Sequence, residues 1–246
     1  RPFVHAQAMN ESAFASRIVR VSDFEDPRVG EYVDIRDGDR AVRHGLFVIE
    51  GLETLRTALR TKRFTVQSIF IAEKWIERID DVLALCDADV FVAPSDVMNG
   101  VVGFDVHRGF LAIGVRETGG TRATWSEIAS HAAARRGTLV VLEAVINHDN
   151  IGGVFRNAAA FGVDGVLLDA ACADPLYRKA IRVSMGHTLG VPFARIAQWG
   201  GVVGALEAGG FQCLAFTPAV GSRSLAEIVG DDLLGAKPIA LFFGNE

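Results

Sequence analysis

Apolar positions along the chain follow two spacings in turn. "GLFVIEG" (45–51), "FTVQSIFIA" (64–72), "ADVFVAP" (88–94) and "GFLAIGVR" (109–116) are short apolar runs rich in β-branched and aromatic residues, which predicts strands. Between them, "LETLRTALRT" (52–61) sets Leu52, Leu55 and Leu59 at helical spacing, and "WIERIDDVLALC" (75–86) reads as one amphipathic helix. "SDVMNGVVG" (95–103) predicts a short capped helix. Together these make a compact α/β sandwich over 26–117, preceded by an N-terminal arm at 1–25.

"ETGGTRATWSEIASHAAARRG" predicts a linker and connecting helix at 118–136, capped by Thr124 or Ser126. The alternation then resumes over 137–246. Strands are expected at 138–145, 164–168, 211–216 and 238–243, and helices at 151–161, 175–186, 200–208 and 222–229. Strands separated by helices imply a parallel sheet with right-handed crossovers. Ligands of such sheets bind beyond the carboxyl ends of the strands. Chemistry is therefore expected at Asn147–Arg156, Asp169–Arg182, Thr217–Ser222 and Gly244–Glu246.

The first of these segments, "NHDNIGGVFRNAAAFG", opens a helix on adjacent glycines, each weakening it by up to about 1 kcal/mol relative to alanine. With Asn150 as the cap, a helical wheel puts Ile151, Val154, Phe155, Ala158, Ala159 and Phe161 on a buried face. Gly152, Gly153, Arg156, Asn157 and Ala160 fall opposite. Arg156 then leans across the surface the glycines leave bare, a place for phosphate or ribose oxygens near a helix N-terminus. Close packing of another helix on the small residues is the alternative. Both hold if a partner subunit supplies the other wall.

"DPLYRKAIRVSMG" (174–186) has Asp174 as a cap and Pro175 at a first helical position. Arg178, Lys179 and Arg182 follow on one helix, suited to an RNA backbone or to plain solvent exposure. Thr217 and Pro218 come directly after a strand, and "ALFFGNE" runs a buried strand into Gly244, Asn245 and Glu246. A glycine there admits a ligand to the backbone. No Gly-x-Gly-x-x-Gly and no P-loop pattern follows a strand, which argues against an ordinary dinucleotide or nucleoside-triphosphate site.

Composition narrows the picture less. The 246 residues are 50% hydrophobic with net charge −5, so a whole-chain basic signature for nucleic acid is missing. A local cluster remains in Arg56, Arg60, Lys62 and Arg63, which fits an RNA-facing patch and a solvated helix end equally. Cys86, Cys172 and Cys213 are widely spaced and suit reduced thiols of a cytoplasmic protein, with no metal-ligand spacing. No apolar run reaches membrane-spanning length. The first residues lack a signal-peptide layout, and Met9 is an alternative native start.

"NIGGVFRNAAAFG", "DPLYRKAIRVSMG" and "ALFFGNE", in this order, resemble the SpoU (TrmH) family of RNA 2′-O-ribose methyltransferases, of the knotted SPOUT class. The resemblance covers about 137–246. The region at 26–117 more loosely resembles the ribosomal-protein-like substrate-binding domain that precedes many such enzymes. The resemblance implies methyl transfer from S-adenosylmethionine to a ribose hydroxyl of RNA, ribosomal rather than transfer RNA, by a homodimer that needs no metal or membrane. By position, Asn150 and Arg156 match the catalytic-motif pair and Glu246 the motif acid. Thr217 and Gly244, with neighbouring Pro218, Phe243 and Asn245, match the cofactor side. Arg56, Arg60, Lys62, Arg63, Arg178, Lys179 and Arg182 are the expected RNA contacts. Family members continue past Gly-Asn-Glu into the segment that completes a trefoil knot. A polypeptide ending at Glu246 is expected to bind S-adenosylmethionine weakly or not at all. The alternatives are a non-catalytic RNA-binding relative and, opposed by the missing glycine fingerprints, a small-molecule nucleotide enzyme on a doubly wound sheet.

Overall fold

The computed structural model describes residues 17–33, 35, 44–116, 123–230 and 237–244. The chain divides into two compact units: 1–117 with 176–182, and 118–175 with 183–246.

The first unit is built on a five-stranded mixed sheet. Its strands are β1 (Ile18–Arg20), β2 (Leu46–Glu50), β3 (Thr65–Ala72), β4 (Asp89–Ala93) and β5 (Phe110–Val115), in the spatial order β1-β4-β3-β5-β2. β4 runs parallel to β1 and β3, while β5 is antiparallel to β3 and β2. The central β3 is buried over its last five residues, so its alternation fades where both faces are covered. Tyr32 and Phe70, with ring centroids 5.1 Å apart, anchor the core with Met98 and Leu111. The buried Tyr32 hydroxyl is matched by Ser68 Oγ at 2.9 Å.

Helix α1 (Leu52–Thr61) buries Leu55, Ala58 and Leu59 and stops at Lys62, whose backbone is left-handed. Two expectations fail here. Residues 18–20 are not part of a loose arm but an edge strand, Ile18 pairing with Val90; three residues are too few to show a periodicity. The helix expected over 75–86 is a 3-10 turn, Glu73–Arg78, followed by the short α2 (Asp80–Leu83). The break falls at Ile79, with φ −109° and ψ 2°. Trp75 is seated against Gly109, where a Cβ would lie 2.2 Å from the indole, and this tertiary fit overrides the helical pattern. Helix α3 (Ser95–Val102) ends at left-handed Gly103.

In the second unit all five strands are parallel: β6 (Thr138–Glu143), β7 (Gly165–Leu168), β8 (Phe193–Arg195), β9 (Gln212–Ala215) and β10 (Ile239–Gly244), ordered β8-β7-β6-β10-β9. β8 was not visible in the sequence, being three residues behind Pro192. Helix α4 (Trp125–Ala134) opens on a capping box in which Thr124 and Glu127 bond each other's backbone N–H. Its Ile128 and Ala132 pack with Leu139, Val141, Leu167 and Ala240 on one sheet face. Helix α5 (His148–Ala160) buries Ile151, Phe155 and Ala158, with Phe155 edge-on to Phe193 at 5.5 Å. Helix α6 (Arg178–Val183), shorter than its pattern suggested, is counted with the first unit up to Arg182, and α7 (Val202–Ala208) and α8 (Leu225–Gly230) complete the second. The chain steps from β6 through β7 to β8 at one edge and then crosses to β9 and β10 on the other side of β6, and a ligand crevice is expected at the carboxyl ends of these parallel strands.

Candidate active site

The turn from β6 into α5 is short. Ala144 takes a left-handed φ of +51°, Ile146 is exposed, and Asn147 caps the helix, its side chain accepting from the Asp149 N–H at 2.8 Å. The cap is therefore Asn147 and not Asn150, which lies exposed in the first turn. Two positions of the helical wheel also change. Gly152 is buried, its missing side chain allowing close packing, and Phe161 is 83% exposed because it is the C-cap, beyond the last helical residue. Gly153 keeps its expected role as a bare position: a Cβ there would meet nothing within 4 Å. Arg156, one turn on, is exposed and takes no hydrogen bond or ion pair from a described residue. Asn157 curls back to donate to Gly153 O at 3.0 Å, leaving the Arg156 side of the helix open.

At the carboxyl ends of β9 and β10, Thr217, Pro218, Phe243 and Gly244 line one cleft of about 520 Å³. Its wall is a stacked pair, Phe216 over Phe243, with centroids 4.7 Å apart and planes 8° apart. Glu143, the last residue of β6, lines the same cleft and accepts from Trp199 Nε1 at 2.8 Å. A Cβ on Gly244 would stand 3.9 Å from Glu143 O, so a side chain there would narrow the gap between the two strand ends. Glu143 and Trp199 were missed in the sequence. The available signal was the acidic residue closing the run "TLVVLE" at a strand end. Asn245 and Glu246 lie outside the described residues.

A second network was equally invisible. Asp169, 8% exposed after β7, accepts from Ala144 N–H at 3.1 Å through Oδ2 and from Cys172 N–H at 2.8 Å through Oδ1. The Cys172 thiol donates to Leu142 O and accepts from Val145 N–H. Burial, followed by the Asp169 carboxylate, pushes this thiol up to about 11, so it stays a neutral donor. Arg195, at the end of β8, donates to Asp169 O and Cys172 O, both at 2.9 Å.

The expected RNA contacts are in different states. Arg56 is held by Asp81 through two nitrogens, at 2.7 and 2.9 Å, and by Glu53 at 2.5 Å. Arg60 and Lys62 are exposed, and Arg63 lies 5.5 Å from the Phe64 ring. Arg178 and Arg182 approach Glu50 at 3.7 and 3.8 Å, within the first unit, and Lys179 is exposed. Among the described residues no cluster of His, Cys, Asp or Glu fits a metal ion, and no helix is long and apolar enough to cross a membrane.

The second unit is a parallel α/β domain with an aromatic-walled cleft at the carboxyl ends of β9 and β10 and a bare-faced helix after β6, and comparison with known proteins says which family builds such a domain. Residues 137–246 match the SpoU rRNA Methylase family. The chain is 37% identical to a Mycobacterium tuberculosis protein described as an uncharacterized tRNA/rRNA methyltransferase, over 92% of this chain and 76% of that one. It is 24% identical to a 23S rRNA guanosine 2′-O-methyltransferase of Bacillus subtilis over 58% of each. The AdoMet-bound rRNA methyltransferase of Sinorhizobium meliloti superposes with a TM-score of 0.74 at 21% identity, covering 94% of this chain and 82% of that one. The chain belongs to the SpoU rRNA Methylase family, a family of RNA methyltransferases.

Proposed function

We propose that the protein transfers the methyl group of S-adenosylmethionine to a ribose 2′-hydroxyl of RNA, with ribosomal RNA the substrate ahead of transfer RNA. The observation that carries this reading is the exposed, unpaired Arg156 beside the open surface of Gly153, on a helix that starts at the carboxyl end of β6. The Bacillus relative, a ribose 2′-O-methyltransferase, supports the choice of atom.

The cleft suits the methyl donor. Its stacked phenyl wall offers a face to a planar base, and Glu143 and Glu207 line it with negative charge suited to a sulfonium cation. Thr217, Pro218, Phe243 and Gly244 would hold the donor there, with Asn245 and Glu246 following in the chain. When bound, S-adenosylmethionine supplies an electrophilic methyl group. The protein's own task is to set the hydroxyl in line and ease loss of its proton. Arg156 does so as a clamp: its guanidinium holds the ribose and its phosphate and lowers the hydroxyl's pKa. It does not act as the base, because arginine stays protonated in proteins. Asn150, exposed in the first turn, is the neighbouring polar contact. Arg60, Lys62 and Lys179 meet the RNA backbone, with Arg63, Arg178 and Arg182 as further contacts. The enzyme works as a homodimer in the cytoplasm, and the exposed Phe161 at the end of α5 supports the association of two copies.

The test is transfer of labelled methyl groups to ribosomal and transfer RNA, with the product mapped to ribose or base. Gly153→Leu places a side chain in open space, so it should fold with an unchanged circular dichroism spectrum and abolish transfer. Label on a base would overturn the ribose assignment. Full activity in Gly153→Leu would return the glycines to helix packing, and no transfer by the wild type to any RNA would favour a binding-only relative.

A further inference from the structure

The β6–α5 turn holds a backbone conformation that its own sequence does not favour. Ala144, with φ +51°, is a non-glycine residue in the left-handed region, a penalty of about tenfold in population. Strain of this kind persists only where the surroundings over-determine it. Here they do. The Ala144 N–H is taken by Asp169, the Val145 N–H by the Cys172 thiol, and the Val145 carbonyl by the Ala173 N–H at 2.9 Å. Asp169 cannot turn away, because both its oxygens accept from backbone N–H groups and its own N–H is bonded to Leu142 O. Arg195 then fixes the 169–172 turn through the carbonyls of Asp169 and Cys172. Three successive strand ends are thereby tied at the edge from which α5 departs.

We propose that Asp169 and Arg195 are positioning residues for methyl transfer: they hold the β6–α5 turn in the one conformation that aims α5, and with it Arg156, at the target ribose. This rests on the role given to Arg156 above. Neither side chain belongs to the cofactor cleft, and neither touches the reacting atoms. Their effect passes through the turn. An error of about 1 Å in a positioning element can cost about 100-fold in rate.

The experiment compares wild type, Asp169→Asn, Arg195→Lys and the double variant Asp169→Asn with Ala144→Gly. Asparagine keeps the shape but turns one acceptor oxygen into a donor facing an N–H. Asp169→Asn should lower kcat about 10- to 100-fold while KM for S-adenosylmethionine stays within about twofold. Arg195→Lys should show a smaller loss of the same kind. Ala144→Gly, added to Asp169→Asn, should restore about tenfold, because glycine holds a positive φ unaided. Thermal unfolding of each variant separates this from general destabilisation, which would lower Tm and speed exchange throughout the domain and not only at the β6–α5 turn. Hydrogen exchange at the Ala144 and Val145 amides, measured without RNA or cofactor, should accelerate in Asp169→Asn and slow again in the double variant. That readout stands even if the wild type methylates nothing, so failure of the brace and failure of the functional reading are separable. Undiminished kcat in Asp169→Asn, unchanged exchange at Ala144, or a double variant no better than the single one would each overturn the proposal. Should Asp169→Asn not fold, Arg195→Lys carries the same kcat-against-KM and exchange tests.

Discussion

The first unit's sheet mixes strand directions and the second unit's does not. In a mixed sheet, antiparallel neighbours put their connections at both ends; in the parallel sheet, every strand delivers its outgoing loop to one rim. The polar groups follow this difference. In the first unit, three arginines are met locally: Arg56 by Asp81 and Glu53, Arg28 by Asp26, Arg20 by Glu73. In the second, Arg156 stands at the rim without a described partner, and the buried Asp169 faces backbone N–H groups instead of a cation. The first unit pairs several of its arginines internally while Arg60 and Lys62 stay exposed, and the second leaves Arg156 available to a ligand at the rim of its sheet.

The two units should nevertheless be alike where they are only packing. Phe70 and Phe155 are both fully buried, so Phe70→Ala and Phe155→Ala should each cost about 3–5 kcal/mol in denaturant unfolding. A loss below about 1 kcal/mol for Phe155→Ala would mean that α5 is not anchored by its buried face. The charges should separate the units. Arg156→Ala should reduce methyl transfer by about 100-fold or more at unchanged Tm. An equal loss of transfer in Arg56→Ala would erase the contrast.

The rim network gives a pH signature. Cys172 is neutral and its pKa is raised from its ordinary value near 9 to about 11. A raised value means stability that is complete below the ordinary thiol pKa and lost as pH rises through about 11. Wild-type Tm should therefore fall more steeply than that of Cys172→Ser between those values; parallel curves would remove the thiol from the network. Thr124→Ala, which deletes one half of the α4 capping box, should cost about 1 kcal/mol in thermal unfolding. Smallest of all, Arg56→Gln should cost about 0–1 kcal/mol, since its ion pairs are solvent-screened, and should change RNA affinity less than Lys62→Gln in a filter-binding titration.

What could be read from the sequence was what local physics decides. Leu52, Leu55 and Leu59 set α1, and its end at Lys62 needed only the loss of that spacing. The rule that ligands sit beyond parallel strands pointed to Thr217, Pro218 and Gly244, and the resemblance added Phe243; the fold gathers all four around one cleft. The rest depended on contacts distant in sequence. The helix at 75–86 breaks because Trp75 must meet Gly109. The sequence put the cap at Asn150, but the helix starts a turn earlier and Asn147 caps it, its side chain accepting from the Asp149 N–H. Asp169 and Arg195 acquire meaning only once β6, β7 and β8 lie side by side, which no local pattern encodes.

Trp199 is one of three tryptophans in the chain, and its indole N–H is bonded to Glu143 on the wall of the cleft proposed for the methyl donor. An indole so placed is an optical gauge. Any cation drawn to Glu143 changes the field at the ring, so the protein's own emission should report filling of the cleft without label or substrate RNA. Trp75 lies against Phe110, whereas Trp125 packs on the same core cluster as Trp199, so the signal is assigned by its loss in Trp199→Phe. The affinity for the methyl donor can in this way be followed as light, in a cuvette, before any methyl group is transferred.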